Sequence, residues 1–170
     1  MFRSTKMLIL CSVLTMTPFL LSFTQDSGGK CPMRKAKTII LDFGEAGKQE
    51  MNFPTFPYVT EDGKISIIPG ETLDIEFDVV NDQLANPHHV EKIVHKERTL
   101  EVSMQQSKDG SILQLSHSFS RPIVADCLVQ LFDESQARKT AIQPIQPRTP
   151  SLELWENKVC QALLYNIRFK

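Results

Sequence analysis

RTLEVSMQQSKDGSILQLSHSF, residues 98–119, is the clearest architectural statement in this chain. Asp109-Gly110 is a strong two-residue hairpin signal, and the runs on either side, Arg98–Gln106 and Ser111–Phe119, alternate apolar with polar residues. Pairing Lys108 with Ser111 sets Gln106 opposite Leu113, Met104 opposite Leu115, Val102 opposite His117 and Leu100 opposite Phe119. The other face pairs Gln105 with Gln114, Ser103 with Ser116 and Glu101 with Ser118. A slip of one residue would bury that polar set, so turn and alternation together point to one register.

The same periodicity extends outward. Leu73, Ile75, Phe77 and Val79 alternate with Asp74, Glu76 and Asp78, which predicts a strand with one face in the core and one in water. Thr38–Phe43 is a short β-branched run, and residues 44–57 read as an irregular loop pinned by Phe53 and Phe56. Glu61-Asp62-Gly63 is a tight turn ahead of Lys64–Ile68, and Pro69-Gly70-Glu71 interrupts two strands. Residues 81–97 read as a long polar loop, with room for a short helix at Val90–Lys96.

Further on, Ile123–Phe132 is apolar on both faces and predicts a central strand, and Asp133–Arg148 reads as an exposed connection. Thr149-Pro150-Ser151 matches a capping residue followed by a first-turn proline, which predicts one short helix near 150–156. The last strand is Val159–Phe169, with Val159, Leu163, Tyr165, Ile167 and Phe169 on one side. The expected fold is all-β, an antiparallel immunoglobulin-like β-sandwich of about seven or eight strands. The strand–Pro-Gly-Glu–strand element from Ile65 to Val79 resembles many such modules, whereas Cys127, Trp155 and Cys160 lack the Cys–Trp–Cys spacing of antibody domains.

The N-terminus bears on compartment. Arg3 and Lys6 precede an uncharged, mostly apolar run from Met7 to Phe23, and polar residues follow at once. Basic start, apolar middle and polar exit predict an export signal over 1–24, and hence a secreted or periplasmic protein. The run is below the roughly 20 residues a spanning helix needs, so a membrane span is expected only if the segment stays uncleaved as an anchor. Residues 25–37 read as a flexible basic linker holding Lys30, Arg34, Lys35 and Lys37, and 38–170 as a single domain. Loss of residues 1–24 moves the formal charge from −1 to −3, a balance that argues against nucleic acid as the main partner.

An oxidising compartment gives the cysteines meaning. Cys127 and Cys160, both in strand-like segments, are expected to form a disulfide stabilising by roughly 3–4 kcal/mol, leaving Cys31 unpaired.

Candidate chemistry is sparse. His88, His89 and His95 share the 81–97 stretch and are the candidate metal ligands, for copper or zinc. The hairpin register aims His117 at the core, as a neutral buried imidazole or a catalytic base. Asp74, Glu76 and Asp78 form an acidic stripe suited to a solvated face, or to contact with a basic partner or Ca²⁺. No Gly-x-Ser-x-Gly, His-Glu-x-x-His or glycine-rich phosphate loop occurs, so no catalytic residue and no cofactor is assigned. The expected function is an exported non-catalytic β-sandwich that binds another protein. The alternative is an exported metal-binding protein or a hydrolase using His117 or the His88/His89/His95 segment.

Overall fold

A computed structural model describes residues 31–170. The export signal expected over 1–24 lies outside them. In chain order the strands are β1 (Met33–Arg34), β2 (Lys37–Asp42), β3 (Lys48–Phe53), β4 (Phe56–Pro57), β5 (Ile65–Ile67), β6 (Glu71–Val80) and β7 (Gln83–Val90). They continue with β8 (Thr99–Ser107), β9 (Gly110–His117), β10 (Ile123–Leu131), β11 (Arg138–Ala141), β12 (Ser151–Trp155) and β13 (Val159–Phe169). Among the described residues, helix is limited to the 3-10 turns Gly44–Ala46 and Lys96–Arg98.

The architecture is a two-layer antiparallel β-sandwich. One sheet runs β12-β9-β8-β6-β7 and the other β11-β10-β13-β5. Between them lies the main core, with Leu73, Ile75, Phe77, Val102, Met104, Leu113 and Leu115 from the first sheet meeting Ile65, Ile67, Cys127, Val129 and Leu164 from the second. The hairpin β2-β3 and the small ribbon β1-β4 stand outside the two sheets. Ile39, Leu41, Phe53, Phe56, Ile68 and Cys160 form a second cluster there.

The hairpin β8-β9 forms with the expected residues inward, but its register differs. Ser107 pairs with Gly110, so Lys108-Asp109 makes the turn and His117 lies opposite Leu100, with Val102 opposite Leu115. The turn moves by one residue and every pairing moves by two, so each side chain keeps its face. The cause is Gly110. A Cβ there would lie 2.1 Å from the Trp155 carbonyl oxygen, and its φ is +152°. Both the close approach of β12 and the positive φ call for glycine at this position.

Other expectations are corrected by the ladder. The helix near 150–156 is strand β12, paired along its length with β9. A cap signal is local and weak, whereas the free edge of β9 offers a full row of backbone partners. The loop 81–97 contains strand β7, joined to β6 by Asn81-Asp82, both at positive φ, the geometry that suits a tight hairpin. Asn86-Pro87 sits at a bulge in β7, an edge strand, where a missing N–H is tolerated. Val79, expected inside, is 50 % exposed beyond that bulge.

β13 spans the expected residues but carries two irregularities. Gln130 pairs with Gln161 and Leu131 with Val159, so Cys160 has no partner across the ladder. Asn166, at φ +51°, sits in the second irregularity. Between them Ala162 and Leu164 face the core, and Leu163 and Tyr165 are turned away from it. Beyond Asn166 the parity resets, and Ile167 and Phe169 pack against the core.

The expected disulfide is absent: Cys127 and Cys160 are both free, buried thiols. Cys127 stands opposite Leu164, four positions from Cys160 on β13. At about 3.3 Å per residue that is roughly 13 Å, well beyond the reach of a disulfide. The bulge also turns Cys160 into the second cluster while Cys127 stays in the first. Burial, with the nearby charge of Glu153, pushes the Cys127 thiol up to about 12, and burial with Asp133 does the same for Cys160. Both are inert thiols.

Candidate functional site

Pro69-Gly70 delivers Glu71 to the start of β6, where its Oε2 accepts the Ile68 N–H at 3.1 Å. Both carboxylate oxygens face Arg34. Arg34 Nε donates to Oε1 at 2.6 Å and Nη2 to Oε2 at 2.7 Å, and Nη2 also donates to the Ser66 carbonyl at 2.8 Å. The guanidinium lies 4.1 Å from the Phe56 ring centroid and 4.7 Å from that of Tyr58. Planar cation, forked carboxylate and aromatic faces are what arginine offers and lysine does not. The side chains of Arg34 and Glu71 are 2 % and 10 % exposed. One polar atom of the cluster remains unmatched: among the described residues Arg34 Nη1 is buried without a partner.

This cluster pins residues 33–37 of the stretch expected to be a basic linker. Arg34 pairs with Phe56 in the β1-β4 ladder, and the Tyr58 N–H donates to the Pro32 carbonyl at 3.2 Å. Next to it Tyr58 stacks on His89 of β7, ring centroids 4.2 Å apart. An open cleft of about 850 Å³ runs between the β1 segment and β7, lined by Arg34, Lys35, Lys37, Tyr58, His89 and Glu91 among others. Burial holds the His89 imidazole below its usual pKa, against the pull of Asp74 and Glu91. A second cleft of about 450 Å³ lies over β10 and β11 beside Asp126, Lys139 and Arg168.

The sequence-predicted residues scatter. His88 Nδ1 lies 3.0 Å from the Asn86 carbonyl, His89 stacks on Tyr58, and His95 Nδ1 lies 3.6 Å from Glu97. Successive strand residues point to opposite faces, which separates His88 from His89. Among the described residues no group of three His, Cys, Asp or Glu side chains is placed to hold a metal ion.

The acidic stripe is not one solvated surface. Glu76 is buried and accepts the backbone N–H groups of Val94 and His95, both at 3.2 Å. Burial raises its pKa, but those N–H groups and the neighbouring His95 and Arg98 outweigh it and leave the carboxyl below its usual value. Asp78 accepts from Asn86 at 2.9 Å, and Asp74 is raised by burial beside His89.

His117 is buried as expected. Its Nε2 lies 3.0 Å from the Ile145 carbonyl, so Nε2 carries the proton, and Nδ1 has no partner. Burial holds its pKa down, opposed by that hydrogen bond. Its ring packs 5.1 Å from Phe119.

Sequence reasoning passed over Arg34, Tyr58 and Glu71. The available signals were an arginine amid lysines and a glutamate after Pro-Gly, neither of which names its partner. Comparison of the chain with protein-family models, curated proteins and solved structures finds no match.

Proposed function

We propose that this chain is an exported, non-catalytic β-sandwich protein that acts by binding another protein. The observation that supports this is the open cleft between the β1 segment and edge strand β7, where Tyr58 and His89 meet the exposed Lys35. Tyrosine in such settings supplies contact area at low entropic cost and is enriched where protein interfaces are strongest. An edge strand beside the cleft adds backbone groups for an extended partner segment.

The reading of export, and with it of a secreted or periplasmic setting, is supported by the pattern of residues 1–24. The free, buried Cys127 and Cys160 fit either setting, because burial shields them from oxidants.

Affinity capture from the native extracellular or periplasmic fraction is the test. The wild-type chain should retain a protein that a Glu91→Lys variant of equal thermal stability, changed on the β7 side of the cleft, loses. Equal capture by both, or by neither, would remove the cleft as the binding surface. Intact mass of the exported form tests the compartment, with residues 1–24 expected to be missing.

A further inference from the structure

We propose that Phe56, Tyr58, Ser66 and Glu71 form a guanidinium-recognition pocket that the chain fills with its own Arg34, and that an arginine on an extended segment of the protein partner takes this pocket by replacing β1. The inference rests on the protein-binding function proposed above and names the partner's chemistry.

Three observations carry it. First, the pocket is built by residues outside β1. Glu71 is held by the Ile68 N–H, the Ser66 carbonyl lies on β5, and the two aromatic rings come from the 56–58 segment. Second, few contacts besides those of Arg34 hold the occupant. β1 is two residues long and, among the described residues, pairs with β4 alone. Met33 is 52 % exposed and Lys35 and Ala36 are exposed as well, so besides Arg34 the segment is held by the short β1-β4 pairing, the Tyr58 N–H to Pro32 carbonyl bond and a Lys37 Nζ contact to the Gly70 carbonyl at 3.4 Å. Third, the fit in cis is incomplete. Nη1 of Arg34 is buried without an acceptor, and the open cleft of about 850 Å³ continues alongside. A partner segment in the place of β1, bringing an acceptor for the matching Nη1 of its own arginine, fills a donor position that Arg34 leaves orphaned.

The cis segment competes through its high effective concentration, so the apparent affinity for a partner falls by the fraction of molecules in which the pocket is filled. An Arg34→Ala chain empties the pocket and removes that competition.

The test uses the full chain carrying Arg34→Ala, with ethylguanidinium as probe and ethylammonium as control. Ethylguanidinium at millimolar concentration should raise the melting temperature saturably, ethylammonium should not, and a further Glu71→Gln change should abolish the effect. If Arg34→Ala does not fold alone, recovery of folding on refolding with ethylguanidinium is the same readout. An acetylated and amidated peptide Pro-Met-Arg-Lys-Ala, the sequence of residues 32–36, should act at roughly ten-fold lower concentration by restoring the β4 pairing. Its arginine-to-lysine counterpart should not. Equal effects of the two small cations, or of the two peptides, would overturn the pocket. In affinity capture the Arg34→Ala chain should retain more partner than wild type. A partner held equally by both would leave protein binding standing and overturn this site.

Discussion

Arg34 and Glu71, 37 residues apart, meet in a two-point ion pair at 2.6 and 2.7 Å beneath the Phe56 and Tyr58 rings. The pair ties an otherwise exposed N-terminal segment to the first residue of β6. Removing one partner leaves a buried charge without its counterion. Arg34→Ala or Glu71→Ala should therefore each cost about 3–5 kcal/mol. The double variant should cost clearly less than the sum, because the two share one interaction. Urea unfolding of the four chains measures this, and strict additivity would mean the pair is not coupled.

The two buried thiols make a redox prediction. Non-reducing peptide mapping of the folded protein should find Cys127 and Cys160 unbridged, and reductant should leave the melting temperature unchanged. With the thiols pushed up to about 12, the thiolate fraction at pH 8 is on the order of 10⁻⁴. Alkylation should be slow in the native state and fast in denaturant. A Cys127–Cys160 peptide would contradict the register of β10 against β13.

His117 links stability to pH. Its folded-state pKa is held below the usual value, so near pH 6.5 and below the unfolded chain binds a proton that the folded chain does not. Stability is full above about pH 6.5, falls as pH drops toward the folded pKa, and is flat below it. His117→Leu should flatten part of that fall. The substitution leaves no orphan, since the Ile145 carbonyl also accepts the Ile123 N–H at 3.0 Å, and it removes the unpartnered Nδ1. Its cost at pH 8 should be under about 1 kcal/mol. Denaturation of both chains from pH 5 to 8 checks slope and cost together.

Gly110 is the residue whose smallest change should hurt most. Gly110→Ala forces a Cβ onto the Trp155 carbonyl oxygen and should cost at least about 1–3 kcal/mol. Gly44→Ala, at φ +64° but facing open space, should cost only the conformational strain of about 1–2 kcal/mol. Thermal melts of the two rank them, and the reverse order would mean that β12 does not approach β9 as described.

Alternation was enough to place Leu100, Val102, Met104, Leu113, Leu115 and His117 inside and to predict two antiparallel layers. It works because successive strand side chains point to opposite faces whatever the neighbouring strand. Alternation is silent on pairing between strands, so a shift of two residues in β8-β9 leaves the pattern intact. That choice fell to the approach of Trp155 on Gly110, a contact between residues 45 apart in the chain. The two irregularities of β13 are likewise invisible locally, yet they move Leu163 and Tyr165 out and separate Cys160 from Cys127. The candidate site was the least legible part. A buried arginine looks like any basic residue until Phe56, Tyr58, Ser66 and Glu71 surround it. Burial and charge pairing belong to the assembled fold, whereas face and strand character belong to the local run of residues.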